Sequence, residues 1–212
     1  VPDRSFSISS ITDTGYVILV VYVDDIVITG DDADGIAQLK QFLQKRFQTK
    51  NLGKLRYFLG LEVATSQADI NLSQRKYVLD LLDETGFLGT HPVDTPMDPN
   101  VKLLKNGGVL FGKLGKYRRL VGKLNYLTIT RPDISNAVSI ISQFLDAPRV
   151  PHWETVICII WYLKKAPGLG LLYKPNGHIR IEGFVDADWA ESRIDRRSTT
   201  GFCTFLGGNL VS

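Results

Sequence analysis

The sequence is poor in cysteine. Its 212 residues hold only Cys158 and Cys203, each inside an apolar run with no Cys or His at ligand spacing. That excludes a disulfide framework and a zinc site, and it favours a reducing compartment. Long hydrophobic runs are missing too. The longest, residues 16–23, has eight members, whereas a membrane helix needs about 20, so no membrane partner is expected. No basic, serine-rich leader is visible. Acidic residues are absent from residues 102–131, which carry eight basic ones; the rest of the chain holds 17 basic and 22 acidic residues. Such a run is either a solvated helix face or a surface that tracks phosphates, and the length of the acid-free stretch favours the second. The chain opens on Val1 rather than Met and stops without a polar tail, so both ends read as cut.

What is present is ordinary globular material, 44% hydrophobic and 22% charged. Residues 5–9 and 16–23 read as strands around a turn, and 26–29 as a third strand. Asp24-Asp25 then forms a tight hairpin tip. Asp34 is placed to cap a helix carrying Ile36, Leu39, Leu43 and Phe47 at helical spacing, with Gly53 as breaker. Residues 55–64 read as one strand. Ser73 is placed to cap a second helix that ends at Gly86. Residues 91–99 hold Pro92, Pro96 and Pro99 and read as a linker. Amphipathic helices are expected over 117–130 and, from Pro132 at the first turn, over 132–145. A third helix, 152–165, is apolar almost all round and therefore buried. Strands follow at 170–173, 179–185, 202–206 and 209–212.

One four-residue motif carries chemistry. Tyr22-Val23-Asp24-Asp25 puts adjacent carboxylates at a tip between two apolar strands. An Asp-rich turn is common, but it does not account for flanking strands this apolar, which predict burial on both faces. Hard-cation binding does. Mg²⁺ takes oxygen ligands from one or two carboxylates plus substrate phosphates, and two such ions about 3.5–4 Å apart serve phosphoryl transfer.

The motif then extends into ordered blocks. Residues 21–30 (VYVDDIVITG), 51–63 (NLGKLRYFLGLEV), 72–77 (LSQRKY), 117–127 (YRRLVGKLNYL), 130–134 (TRPDI), 186–190 (DADWA) and 196–203 (RRSTTGFC) together resemble the Ty1/copia-type retrotransposon Pol polyprotein, in its reverse transcriptase and the start of its ribonuclease H. Retrotransposon-derived reading frames in plant organelle genomes look similar. The resemblance implies an α+β fold in three parts: a partial reverse-transcriptase palm with the hairpin and a primer-grip-like strand (1–90), a linker and helical thumb or connection (91–168), and a truncated ribonuclease H-like β-sheet (169–212). It implies Asp24, Asp25 and Asp186 as catalytic metal ligands for Mg²⁺. Tyr22, Tyr57, Lys54, Arg118, Arg119 and Lys123 become nucleic-acid-binding residues. The partners are an RNA–DNA or DNA duplex and the remainder of the Pol polyprotein. Arg131, which precedes Pro132, caps or braces a turn. Arg196, Arg197 and Ser198 have a loop role, Asp188 is an edge carboxylate, and His91, His152 and His178 are structural or solvated.

The pattern is incomplete. A reverse transcriptase needs a third carboxylate, and the only acids before Asp24 are Asp3 and Asp13. Asp13 is about 36 Å away along an extended strand, and Asp3 does not match the family position. The ribonuclease H half holds one matching carboxylate. The expectation is an RNA-directed DNA polymerase segment that neither polymerises nor cleaves alone. The alternatives are a non-catalytic nucleic-acid-binding remnant, an inert remnant, and an unrelated two-carboxylate nucleotidyltransferase that fits the hairpin but not the later blocks.

Overall fold

Two runs of branched apolar residues fold back on each other, and the turn between them organises the first unit of the chain. In this computed structural model, residues 5–12, 15–101, 103–188 and 198–212 are described. The chain divides into Val1–Phe58 and Leu59–Ser212. In the first unit β1 (Ser5–Thr12), β2 (Gly15–Tyr22) and β3 (Asp25–Gly30) form an antiparallel sheet in that order. Tyr22 pairs with Asp25 and Val17 with Gly30. The central turn residues are therefore Val23 and Asp24, one position earlier than predicted, and Asp25 belongs to β3. Helix α1 (Ala33–Arg46) follows. Its cap is Asp32 rather than Asp34: Asp32 Oδ1 accepts a hydrogen bond from the Gly35 amide at 2.9 Å. Two-residue β4 (Tyr57–Phe58) closes the unit.

The strands around the acidic pair are not buried on both faces, as their composition predicts. Val17 is the one fully buried hydrophobic among their described residues, while Ile8, Tyr16, Tyr22 and Ile26 are exposed. The sheet has three strands and a single helix, and α1 buries none of its own residues. Apolar composition states what a strand can bury, not whether its own unit supplies the cover.

The second unit begins with a departure from the expected single strand over 55–64. Leu59 (φ 50) and Gly60 (φ 78) turn the chain, and β5 (Leu61–Thr65) starts beyond them. Next come β6 (Ile70–Ser73) and α2 (Arg75–Thr85). Gln74, not Ser73, occupies the cap position of α2, and Gly86 ends the helix in a left-handed conformation, with the Phe87 amide donating to Leu82 O. Helix α3 (Leu114–Leu127), a 3-10 turn (Pro132–Ile134), α4 (Ser135–Ser142) and α5 (Val150–Lys165) follow. The last strands are β7 (Gly170–Tyr173), β8 (Ile181–Asp188), β9 (Thr199–Leu206) and β10 (Asn209–Leu210). β7 pairs with β6, and β8–β9–β10 form a separate antiparallel sheet.

One core joins α2, α3, α4 and α5. Val78, Leu81 and Leu82 from α2 meet Leu120, Leu124, Ile141, Ile159, Ile160 and Leu163. Helix α5 is buried on most sides, as its composition predicts. The segment predicted as a linker is fastened to α5. The Lys164 ammonium donates to the carbonyls of Leu88 (2.6 Å) and Thr90, and Lys165 pairs with Asp94 at 2.6 Å. Since α2 shares a core with α3–α5 and β7 pairs with β6, packing crosses both the 90/91 and the 168/169 boundaries expected from the resemblance.

Helix α3 exposes Gly115 and Gly122, seven residues apart. A Cβ at either would meet nothing within 4 Å. A helical glycine costs about 0.5–1 kcal/mol relative to alanine. Gly122→Ala is therefore expected to raise stability by about that amount in urea unfolding. A loss of stability would show that something packs against this face.

Candidate metal and nucleic-acid site

The acidic pair sits where the β2–β3 turn is tightest. Val23 has φ 51, a left-handed conformation that is an outlier for a β-branched residue and costs about 1–3 kcal/mol. A two-residue hairpin needs such a primed turn to match strand twist, so the strain goes with the tightness of the tip. Asp24 lies in the turn and Asp25 opens β3 opposite Tyr22. Cross-strand partners share a face, so Tyr22 and Asp25 project from the same side of the sheet. Tyr22, Asp24 and Asp25 are all exposed. Among the described residues neither carboxylate takes part in an ion pair. Two adjacent oxygen donors without a neutralising cation fit a hard divalent ion. No group of three or more His, Cys, Asp or Glu suited to a metal occurs among the described residues. Asp3 and Asp13 lie outside them.

Lys50, Lys54 and Tyr57 belong to an exposed stretch ahead of the Leu59–Gly60 turn. Asp186 is exposed on β8, opposite Gly201 of β9. It borders a shallow depression shared with Phe184, Phe202 and Cys203. The side chain of Asp188 and residues Arg196 and Arg197 lie outside the described residues; Ser198 is exposed.

The three predicted duplex-facing cations all have protein acceptors. Arg118 donates through Nε to Leu145 O at 2.8 Å and reaches Asp146 at 3.4 Å. Arg119 pairs with Glu84 at 2.7 Å, and Lys123 pairs with the other oxygen of the same carboxylate. The Lys123 hydrogen bond and the nearby cations hold Glu84 below the usual carboxylate range despite partial burial. Glu84 escaped the sequence reading because its partners lie 35 and 39 positions away. Only the acid-free run, whose counter-ion had to come from elsewhere, hinted at it. The cations remain accessible, with side-chain exposures of 50%, 57% and 31%. A pinned guanidinium still has unused donors among its five N–H groups.

Arg131 is different. It is 2% exposed and is a brace, as its place before Pro132 predicts. Its Nε and a terminal nitrogen grip both oxygens of Asp133 at 2.9 and 2.7 Å; the other terminal nitrogen donates to Ala166 O at 3.1 Å. His152 is buried and structural. It accepts from the Arg149 amide at 2.9 Å, so its Nε2 carries the hydrogen and donates to Leu104 O. Burial pushes this imidazole below its ordinary value; the Leu104 carbonyl opposes that shift and Arg149 adds to it. His178 is half-buried beside β8, and His91 is exposed.

The family model for reverse transcriptase (RNA-dependent DNA polymerase) matches residues 8–99. The retrovirus-related Pol polyprotein from transposon RE1 of Arabidopsis thaliana is 38% identical over 214 residues, covering 97% of this chain and 15% of its own length. An uncharacterized mitochondrial protein of Arabidopsis thaliana is 39% identical over 197 residues, covering 92% of this chain and 80% of its own length. The chain belongs to the copia-type reverse transcriptase family. The corresponding Pol polyprotein from transposon TNT 1-94 of Nicotiana tabacum is 36% identical over 207 residues, 93% of this chain and 16% of its own. The chain thus spans about 15% of the length of the copia-type Pol polyproteins it matches. No solved structure matches it. The reverse transcriptase match encloses Tyr22, Asp24, Asp25, Lys54 and Tyr57; Arg118, Arg119, Lys123 and Asp186 fall beyond it. No described helix is long and apolar enough to cross a membrane.

Proposed function

We propose that this chain is the metal-binding palm hairpin and the duplex-facing helical part of an RNA-directed DNA polymerase, followed by the opening strands of ribonuclease H. The observation that carries the reading is the Val23–Asp24 turn: two exposed carboxylates, not ion-paired among the described residues, at a strained hairpin tip. Asp24 and Asp25 hold Mg²⁺, which supplies activation of a primer 3′-hydroxyl and neutralisation of phosphate charge. Tyr22, on the face of Asp25, lies against the primer end. Tyr57 and Lys54 lead into the gripping turn, and Arg118, Arg119 and Lys123 follow the backbone of an RNA–DNA or DNA duplex. Asp186 serves as a ribonuclease H metal ligand. β7, assigned by resemblance to the ribonuclease H segment, pairs with β6.

The acidic pair alone does not complete a two-metal site. The 212-residue chain is therefore expected to give no primer extension in Mg²⁺, and to give it when joined to the rest of a copia-type Pol polyprotein. Extension by the isolated chain that disappears in Asp24→Ala would refute the first half. Silence of the joined polyprotein would refute the second.

A further inference from the structure

Two described residues other than glycine have φ in the left-handed region, Val23 and Leu59. The first belongs to the acidic hairpin. The second, at φ 50, starts the turn that precedes β5. An L side chain keeps that conformation only where its surroundings impose it. Here the surroundings are Tyr126, 67 positions away, whose hydroxyl donates to the Leu59 carbonyl. A Cβ on Gly60 (φ 78) would lie 2.5 Å from the same hydroxyl oxygen, so position 60 must be glycine for both its backbone and its neighbour.

Tyr126 is itself held. Its ring meets Tyr77 edge-on, centroids 5.2 Å apart at 64°. The Lys123 ammonium lies 6.0 Å from the Tyr77 ring centre. Arg119, Lys123 and Tyr126 stand at i, i+4 and i+7 on α3, one stripe of one helix. The tether for the turn and the two cations therefore ride on a single rigid element.

We propose that Tyr126 is a positioning residue for nucleic acid. By holding the Leu59 carbonyl it keeps the Leu59–Gly60 turn in register with Arg119 and Lys123, so that turn and cations engage one strand of a primer–template together. This rests on the reading of α3 as the duplex-facing helix. The ligand class is an RNA–DNA or DNA duplex with a recessed 3′ end.

The test is fluorescence anisotropy of the full 212-residue chain with a labelled recessed duplex, titrated at several salt concentrations. Tyr126→Phe removes one oxygen and keeps the ring on Tyr77. Affinity is expected to fall about five- to tenfold while the melting temperature falls by no more than about 4 °C. The salt slope should be unchanged, because no phosphate contact is lost. Lys123→Ala should instead lower the slope by about one. The double variant should lose less than the product of the two single losses, as coupled sites do. Gly60→Ala, which displaces the hydroxyl, should behave like Tyr126→Phe. Wild-type affinity in both Tyr126→Phe and Gly60→Ala would overturn the proposal and leave the duplex reading intact. A wild-type chain with no salt-dependent binding would overturn both.

Discussion

Arg131→Ala is expected to lower the melting temperature by about 6–20 °C, the equivalent of about 3–5 kcal/mol for a chain of this size. The side chain is 2% exposed and has four acceptor contacts in reach: both oxygens of Asp133, the Ala166 carbonyl and the face of Tyr162, 5.5 Å from the guanidinium. Removing it strands Asp133, whose Oδ2 would retain only the Tyr162 hydroxyl, at 2.8 Å, from that set. The Ala166 carbonyl at the end of α5 also loses one of its donors and keeps the Leu169 amide, at 3.1 Å. Replacing both charged partners with apolar residues should cost less than the single change, because a buried pair is itself expensive to desolvate.

The same pair fixes the direction of an acid effect. Burial pushes the Asp133 carboxyl up, but hydrogen bonds from Arg131 and Tyr162 outweigh it and hold the group below its ordinary value. A carboxylate depressed in the folded state adds stability above its unfolded pKa of about 3.9, and that stability is lost as pH falls through the folded value. In Arg131→Ala the largest source of that depression is gone. The gap in melting temperature between wild type and variant should therefore narrow below about pH 4. A gap that stays constant from pH 7 to pH 3 would show that packing, not charge pairing, is what Arg131 contributes.

Asp24→Asn, placed in a Pol polyprotein containing this segment, should reduce primer extension by at least about 1,000-fold, equal to about 4 kcal/mol of transition-state stabilisation. The substitution preserves volume and the ability to sit in a turn, since Asn suits turns as well as Asp does. Folding should be unaffected, and circular dichroism should coincide with wild type. Asp25→Asn is expected to match it if the two carboxylates bind metal as the one set proposed above. Raising Mg²⁺ should not restore either variant to within tenfold of wild type. Full activity in Asp24→Asn would remove the chemical basis of the hairpin's assignment.

Much of the candidate site was legible because it is local. The hairpin is encoded by two apolar runs and one acidic dipeptide, so strands β2 and β3 emerged within a residue of their ends, although the tip slipped from Asp24-Asp25 to Val23-Asp24. Nothing in composition marks a valine for positive φ; pairing of Tyr22 with Asp25 imposes it. The stop of α2 at Gly86 and the burial of α5 were readable for the same reason. Non-local facts were not. Residues 55–64 look like one strand because the Leu59–Gly60 turn is fixed by a tyrosine on another helix. The four residues of β6 carry too little pattern to stand out, and their partner β7 lies 97–103 positions downstream in register. Glu84 and Tyr162 acquire their roles only through partners brought in by packing. Within the charge run at 102–131 only the place of Arg131 before Pro132 set it apart as a brace, and the structure sorts the run the same way. Arg131 turns inward as a brace, whereas Arg118, Arg119 and Lys123 stay outside.

The proline-bearing stretch after α2 has a mechanical consequence. Two adjacent lysines of α5 grasp it, Lys164 through two carbonyls and Lys165 through Asp94. The helices on either side of it already share a hydrophobic interior. A protease nick among those prolines would leave a knotless but clasped pair of pieces, sedimenting as one particle until denaturant parts them.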